Sequence, residues 1–139
     1  MITISIDNKL EELEKLINQS VEYLYLGQIT PNVIEDMQLI IEEVVSNIIK
    51  YAYPDQTSES IVITLNVTDD RIISTFEDYG VAFNPLQIIE EQNLAGERKK
   101  DTIGGWGIIL VQELSDSIKY TREDSKNFLL VEKNYKKTF

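Results

Sequence analysis

Three short blocks hold residue types from which a site could be built. The first lies in Gln38 to Tyr53, QLIIEEVVSNIIKYAY, where Glu43 and Asn47 stand four residues apart. At helical pitch such residues are neighbours one turn apart. The glutamate can orient or deprotonate a hydroxyl or a water, and the asparagine oxygen can ligand a hard cation such as Mg²⁺. The second block is Asp78-Tyr79-Gly80-Val81-Ala82-Phe83-Asn84-Pro85. An ionised aspartate only accepts hydrogen bonds, so Asp78 suits an exocyclic amine such as the 6-amino group of adenine. Gly80 would let the backbone come close to a flat ring. The third block is Gly104-Gly105-Trp106-Gly107, followed by IILVQEL. Glycines before a helix N-terminus expose free amides to an anion such as a nucleotide phosphate. Each block alone also has a plain structural reading: a solvated helix arc, a turn, a glycine hinge.

The totals narrow the chemistry. The 139 residues suit one domain over 1–139 with one core. There are no cysteines and no histidines. Disulfides, thiolate metal sites, cysteine nucleophiles and histidine bases are therefore excluded. The formal net charge of −11 disfavours nucleic acid and anionic membranes as partners. An anionic ligand would need a local site of backbone amides, a helix N-terminus and a metal. No signal peptide or membrane span is expected, and the cytoplasm is the expected compartment.

The elements that must position these blocks follow from periodicity. Alternation predicts a strand over Ile2 to Ile6, with Asp7 or Asn8 capping a helix whose stripe runs from Leu10 to Tyr25 and stops at Gly27. Thr30-Pro31 starts the central helix, and Pro54 ends it. Met37, Ile40, Ile41, Val44, Val45, Ile48, Ile49 and Ala52 form its buried face, with Glu42, Glu43, Ser46, Asn47 and Lys50 on the opposite arc. Ser60 to Thr68 and Arg71 to Glu77 form a hairpin around Asp69-Asp70. Pro85 opens a helical stretch through Glu91, Gln92 to Ile103 reads as a lid loop, and Gly107 to Leu114 is a helix. Asp116 to Thr121 and Asn127 to Tyr135 are the last strands, and Lys136 to Phe139 is a tail. This order predicts an α+β, two-layer sandwich, with helices on one face of a mixed, mostly antiparallel sheet.

Taken together, the blocks resemble the histidine-kinase-like ATPase superfamily, and within it the branch of bacterial anti-sigma factors that are also serine protein kinases. The first motif of that branch, Glu-x-x-x-Asn-x-x-x-His-Ala-Tyr, is met by Glu43, Asn47, Tyr51, Ala52 and Tyr53. The second, Asp-x-Gly-x-x-Phe-Asp-Pro, is met by Asp78, Gly80, Phe83, Asn84 and Pro85. The third, Gly-Gly-x-Gly, is met by Gly104, Gly105 and Gly107.

The resemblance implies an ATP- and Mg²⁺-dependent serine/threonine protein kinase that phosphorylates an anti-sigma-factor antagonist and otherwise holds a sigma factor or similar regulator. A homodimer is implied in the same way. Asn47 would coordinate the metal and Glu43 would be the catalytic base. Asp78, Gly80 and Phe83 would bind the adenine end, and Gly104, Gly105, Trp106 and Gly107 would wrap the phosphates. Tyr51 stands where the family often has His, and Asn84 where it often has Asp. Ile103 stands where some relatives carry an Arg that assists phosphoryl transfer, so Arg98, Lys99, Lys100 and Lys50 are candidate substitutes. The alternative is a nucleotide-gated protein-binding switch with little catalysis. A histidine kinase catalytic domain would have to find its phosphoacceptor histidine elsewhere.

Overall fold

The computed structural model describes residues 1–87 and 105–135. Among these residues five strands form one open sheet: β1 (Ile2–Asp7), β2 (Ser60–Val67), β3 (Arg71–Asp78), β4 (Ser117–Glu123) and β5 (Lys126–Asn134). Their spatial order is β1-β2-β3-β5-β4, and every neighbouring pair is antiparallel. The α-helices described in full are α1 (Leu13–Leu26), α2 (Pro31–Asn47) and α3 (Gly105–Leu114). None of the described helices is long and apolar enough to cross a membrane.

Alternation along each strand sorts the two faces. Ile4, Ile63, Phe76 and Leu129 are paired in register, forming one buried row that continues to the half-buried Tyr120. Met37, Ile40, Ile41, Val44 and Val45 of α2 and Leu16 and Leu24 of α1 close the core over that face. Two residues further along the strands, the same face changes character. The row there reads Asp78, Asn127, Arg122 across β3, β5 and β4. Hydrophobic pairing therefore places a polar trio side by side at one end of the core.

The expected α+β sandwich is found, and strand ends differ from the sequence reading by a residue or two. Three local expectations change. The N-terminal helix starts through a tight 3₁₀ turn at Leu10–Glu12 with no side-chain cap. Asn8 instead donates to the Thr57 carbonyl (2.7 Å) and accepts from the Glu59 amide (3.1 Å), pinning the 55–59 loop to the end of β1. The central helix does not stay α-helical to Pro54: Ile48–Ala52 forms a π-helical turn. The last helix begins at Gly105, not Gly107. The stretch beyond Pro85 is described only to Gln87, and the lid expectation at 92–103 and the tail at 136–139 lie outside the described residues.

A single lysine ties α3 to its neighbours. Lys133 points to the helical side of β5, donates to the Leu114 carbonyl at the α3 C-terminus (2.7 Å) and pairs with Asp36 of α2 (3.2 Å). The cation also complements the helix dipole. Lys133→Met keeps the apolar stem but strands that carbonyl and the carboxylate. It should cost about 1–3 kcal/mol in urea unfolding, and an unchanged midpoint would show that α3 is held by packing alone.

Candidate nucleotide-binding crevice

α2 supplies the first residues of the site. Glu43 is half-buried, whereas Asn47 is buried at 2% exposure. The sequence places Asn47 on a solvated arc; the structure corrects this. Periodicity treats everything beyond the core face as water, but α3 packs against that side of α2 and covers it. The Asn47 amide donates back to the Glu43 carbonyl one turn earlier (2.7 Å). That bond fixes the amide's orientation, and among the described residues its Oδ1 has no hydrogen-bond partner.

Gly107 explains how closely the two helices meet. A Cβ built there would lie 1.8 Å from Glu43 Oε2. Any larger residue at 107 would displace the carboxylate. Glu43 thus sits within the first turn of α3, where amides and the helix dipole attract negative charge. Gly105 and Trp106 belong to the same turn. Gly104, Ile103 and the Arg98–Lys100 group lie outside the described residues.

Asp78 closes β3 and is 2% exposed. Its Oδ1 accepts from the Gly80 amide (2.9 Å) and from Asn127 Nδ2 (2.9 Å). Among the described residues, Oδ2 has no hydrogen-bond partner. Burial pushes the carboxyl above its ordinary range, while the Asn127 and Gly80 hydrogen bonds and the Arg122 charge pull the other way.

Gly80 is required by its surroundings. A Cβ there would fall 2.3 Å from the Ala52 carbonyl, and the next amide, Val81, donates to that same oxygen (2.8 Å). The close approach that this glycine permits is to the end of the π-helical turn. Tyr53 strengthens the junction: its buried hydroxyl accepts from the Tyr79 amide (3.0 Å), and burial pushes its pKa up to about 12. Phe83 stacks on Tyr51, with centroids 5.4 Å apart. Among the described residues the buried Tyr51 hydroxyl has no hydrogen-bond partner, and burial raises its pKa. Asn84 Oδ1 accepts from the Leu86 amide (3.0 Å), starting the turn at Pro85.

Asp78 and Asn47 line one crevice together with Val44, Ile48, Phe83 and Ile108. Its free space is about 10 Å³, room for one water-sized sphere. A purine would have to part these walls. Asp78, Asn47 and Phe83 are thus brought together at the crevice, with Glu43 and Gly107 in contact beside it.

Sequence reasoning missed Asn127, Tyr120 and Arg122, all on the β4–β5 hairpin. Asn127 lies 49 residues from Asp78, so no local motif links them. The available signal was an asparagine on the inward-facing positions it shares with Leu129 and Val131, where a polar residue is unusual.

For a metal, no three His, Cys, Asp or Glu side chains cluster among the described residues. Asn47 Oδ1 with Glu43 nearby fits a Mg²⁺ that takes its other ligands from phosphates and water. It does not fit an all-protein cage.

A family model described as a histidine kinase-like ATPase domain matches residues 6–133. A search of curated proteins finds no match. Among solved structures, a chain in the crystal structure of the SiaB–SiaC complex from Pseudomonas aeruginosa is 13% identical with a TM-score of 0.66, over 96% of this chain and 88% of that one. The histidine kinase domain of the blue-light activated histidine kinase from Erythrobacter litoralis EL346 is 20% identical with a TM-score of 0.52. That alignment covers 74% of this chain and 45% of the other.

The buried Asp78 has a stability consequence. Its raised pKa means that the fold must hold an unfavourable anion once pH exceeds that value; below the ordinary 3.8, the carboxyl is neutral both folded and unfolded, and the cost vanishes. Asparagine at 78 can keep both accepted hydrogen bonds without the charge. Asp78→Asn should therefore melt higher than wild type at pH 7, the gap shrinking towards pH 4. A lower melting temperature, or a gap independent of pH, would contradict this.

Proposed function

The chain belongs to the histidine kinase-like ATPase family, and from that premise we propose that it is an ATP- and Mg²⁺-dependent serine/threonine protein kinase of the anti-sigma-factor type. Its substrate would be an anti-sigma-factor antagonist, and its other partner a sigma factor or similar regulator. One observation carries the nucleotide part: Asp78 Oδ2 and Asn47 Oδ1, two acceptors without hydrogen-bond partners among the described residues, line a single crevice beside the N-terminal turn of α3.

In this reading Asp78 accepts the exocyclic amine of adenine, while Phe83, Ile108 and Val44 enclose the ring. Asn47 Oδ1 holds the metal. The amides of Gly104 to Gly107 take up the phosphates at the helix N-terminus. Glu43 would take the proton of the acceptor hydroxyl as its oxygen bonds to the γ-phosphorus and the bond from that phosphorus to the β,γ-bridging oxygen breaks, releasing ADP. Bound Mg²⁺ supplies the neutralisation of charge on the transferring phosphoryl group. The partner part is supported by the SiaB–SiaC neighbour, a chain of this fold crystallised in a two-protein complex.

A second reading keeps the nucleotide and drops the transfer. Ile103 before the glycines favours it, because no cation stands at that position to assist the chemistry. ATP would then change partner affinity without phosphorylating anything.

Radiolabelled ATP, incubated with the protein and candidate antagonists, separates the two. Wild type should transfer label. Glu43→Gln should slow transfer by about 10²-fold or more while still binding ATP. Transfer by Glu43→Gln at the wild-type rate would remove Glu43 as the base. ATP-dependent partner binding without label would favour the switch.

A further inference from the structure

The carboxamide of Asn127 makes five hydrogen bonds. Its Nδ2 donates to Asp78 Oδ1 (2.9 Å) and to the Val81 carbonyl (2.8 Å). Its Oδ1 accepts from the Tyr120 hydroxyl, from Arg122 Nη1 (3.0 Å) and from the Phe83 amide (3.3 Å). No capacity is left over. The amide also cannot turn round. A half rotation would set its oxygen against the Asp78 carboxylate and the Val81 carbonyl, and its NH₂ against three donors. Strand register enforces the same arrangement, since Asp78, Asn127 and Arg122 are direct cross-strand neighbours.

We propose that Asn127 is a positioning residue that sets nucleobase choice: it holds one oxygen of Asp78 and leaves the other, as an acceptor only, to select a 6-aminopurine over a 6-oxopurine. The proposal rests on the nucleotide reading given above and deepens it. Val81 and Phe83, which follow the Asp78-x-Gly turn, are fixed by the same amide, so the carboxylate and one crevice wall are set together. Asp78 and Phe83 line the same crevice, so position 6 of a ring placed against Phe83 would meet Asp78. An amine there finds an acceptor; a carbonyl there faces an anion.

The titration of Asp78 points the same way. Burial raises its pKa, and the Asn127 hydrogen bond is the largest influence opposing that rise. Removing Asn127 raises the value further, and a neutral carboxyl can donate its proton to a 6-oxo group. Among the described residues, the other titratable or charged groups around Asp78 are Arg122 and Tyr120 from β4 and Tyr53 after the π-helical turn.

The test is calorimetric titration of the full chain with MgATP and MgITP, at pH 6 and pH 8, for wild type, Asn127→Ala and Arg122→Met. Wild type should prefer ATP at both pH values. Asn127→Ala should narrow that preference about tenfold or more, and by no less at pH 6 than at pH 8. Arg122 is exposed, so Arg122→Met should fold even if the alanine variant does not. It loosens one of the bonds that orient the amide and should narrow the preference in the same direction, by less.

Equal weakening of both nucleotides, with the ratio unchanged in every folded variant, would overturn the proposal and leave Asn127 a purely structural role. A wild type that binds neither nucleotide would instead overturn the nucleotide reading, and this proposal with it.

Discussion

A buried carboxylate at the end of a strand governs the architecture around the site. Asp78 is an acid removed from water, and that is unfavourable unless hydrogen bonds replace the lost hydration. Among the described residues the fold supplies them on one side only. The Gly80 amide and Asn127 saturate Oδ1, and Oδ2 is left facing the crevice. Asn127 can do this only because Tyr120 and Arg122 from β4 and the Phe83 amide fix its orientation. A buried carboxylate is a cost to the fold, and its second oxygen is a recognition element for a ligand that brings a donor. Stability and function therefore pull in opposite directions at this residue.

Two glycines let the helical layer close on this end of the sheet. Gly80 admits the Ala52 carbonyl, and Gly107 admits the Glu43 carboxylate. Both contacts are made to α2 or its π-helical continuation. That segment therefore does three things at once. Its apolar face builds the core, its C-terminal turn locks β3 in place, and its remaining face presents Glu43 and Asn47 towards α3. The net charge of −11 gives an anionic ligand no help from the general field, so these local amides and dipoles carry the attraction.

Much of this was legible in the sequence, for definite physical reasons. The long apolar period of α2 and the alternation of β2 and β3 located Glu43, Asn47 and Asp78 on their elements, because those patterns are repeated over several turns or pairs. The glycines marked close approaches, but which neighbour approaches was not legible: at Gly80 it is Ala52. The burial of Asn47 was hidden because it depends on α3, some sixty residues downstream. The π-helical turn was hidden too, since Ile48–Ala52 keeps an ordinary helical composition. Asn127 was hidden most fully, since its role exists only once strand register sets it opposite Asp78.

The central claim is that this crevice takes a nucleotide. The most direct measurement is a titration of the protein with ATP, with and without Mg²⁺, followed by the fluorescence of Trp106, the only tryptophan in the chain and a sequence neighbour of the glycines proposed to take the phosphates. A saturable change that requires Mg²⁺ is the predicted result. No change in fluorescence, together with no heat of binding by calorimetry, would contradict the account and leave the crevice a structural feature of a partner-binding domain.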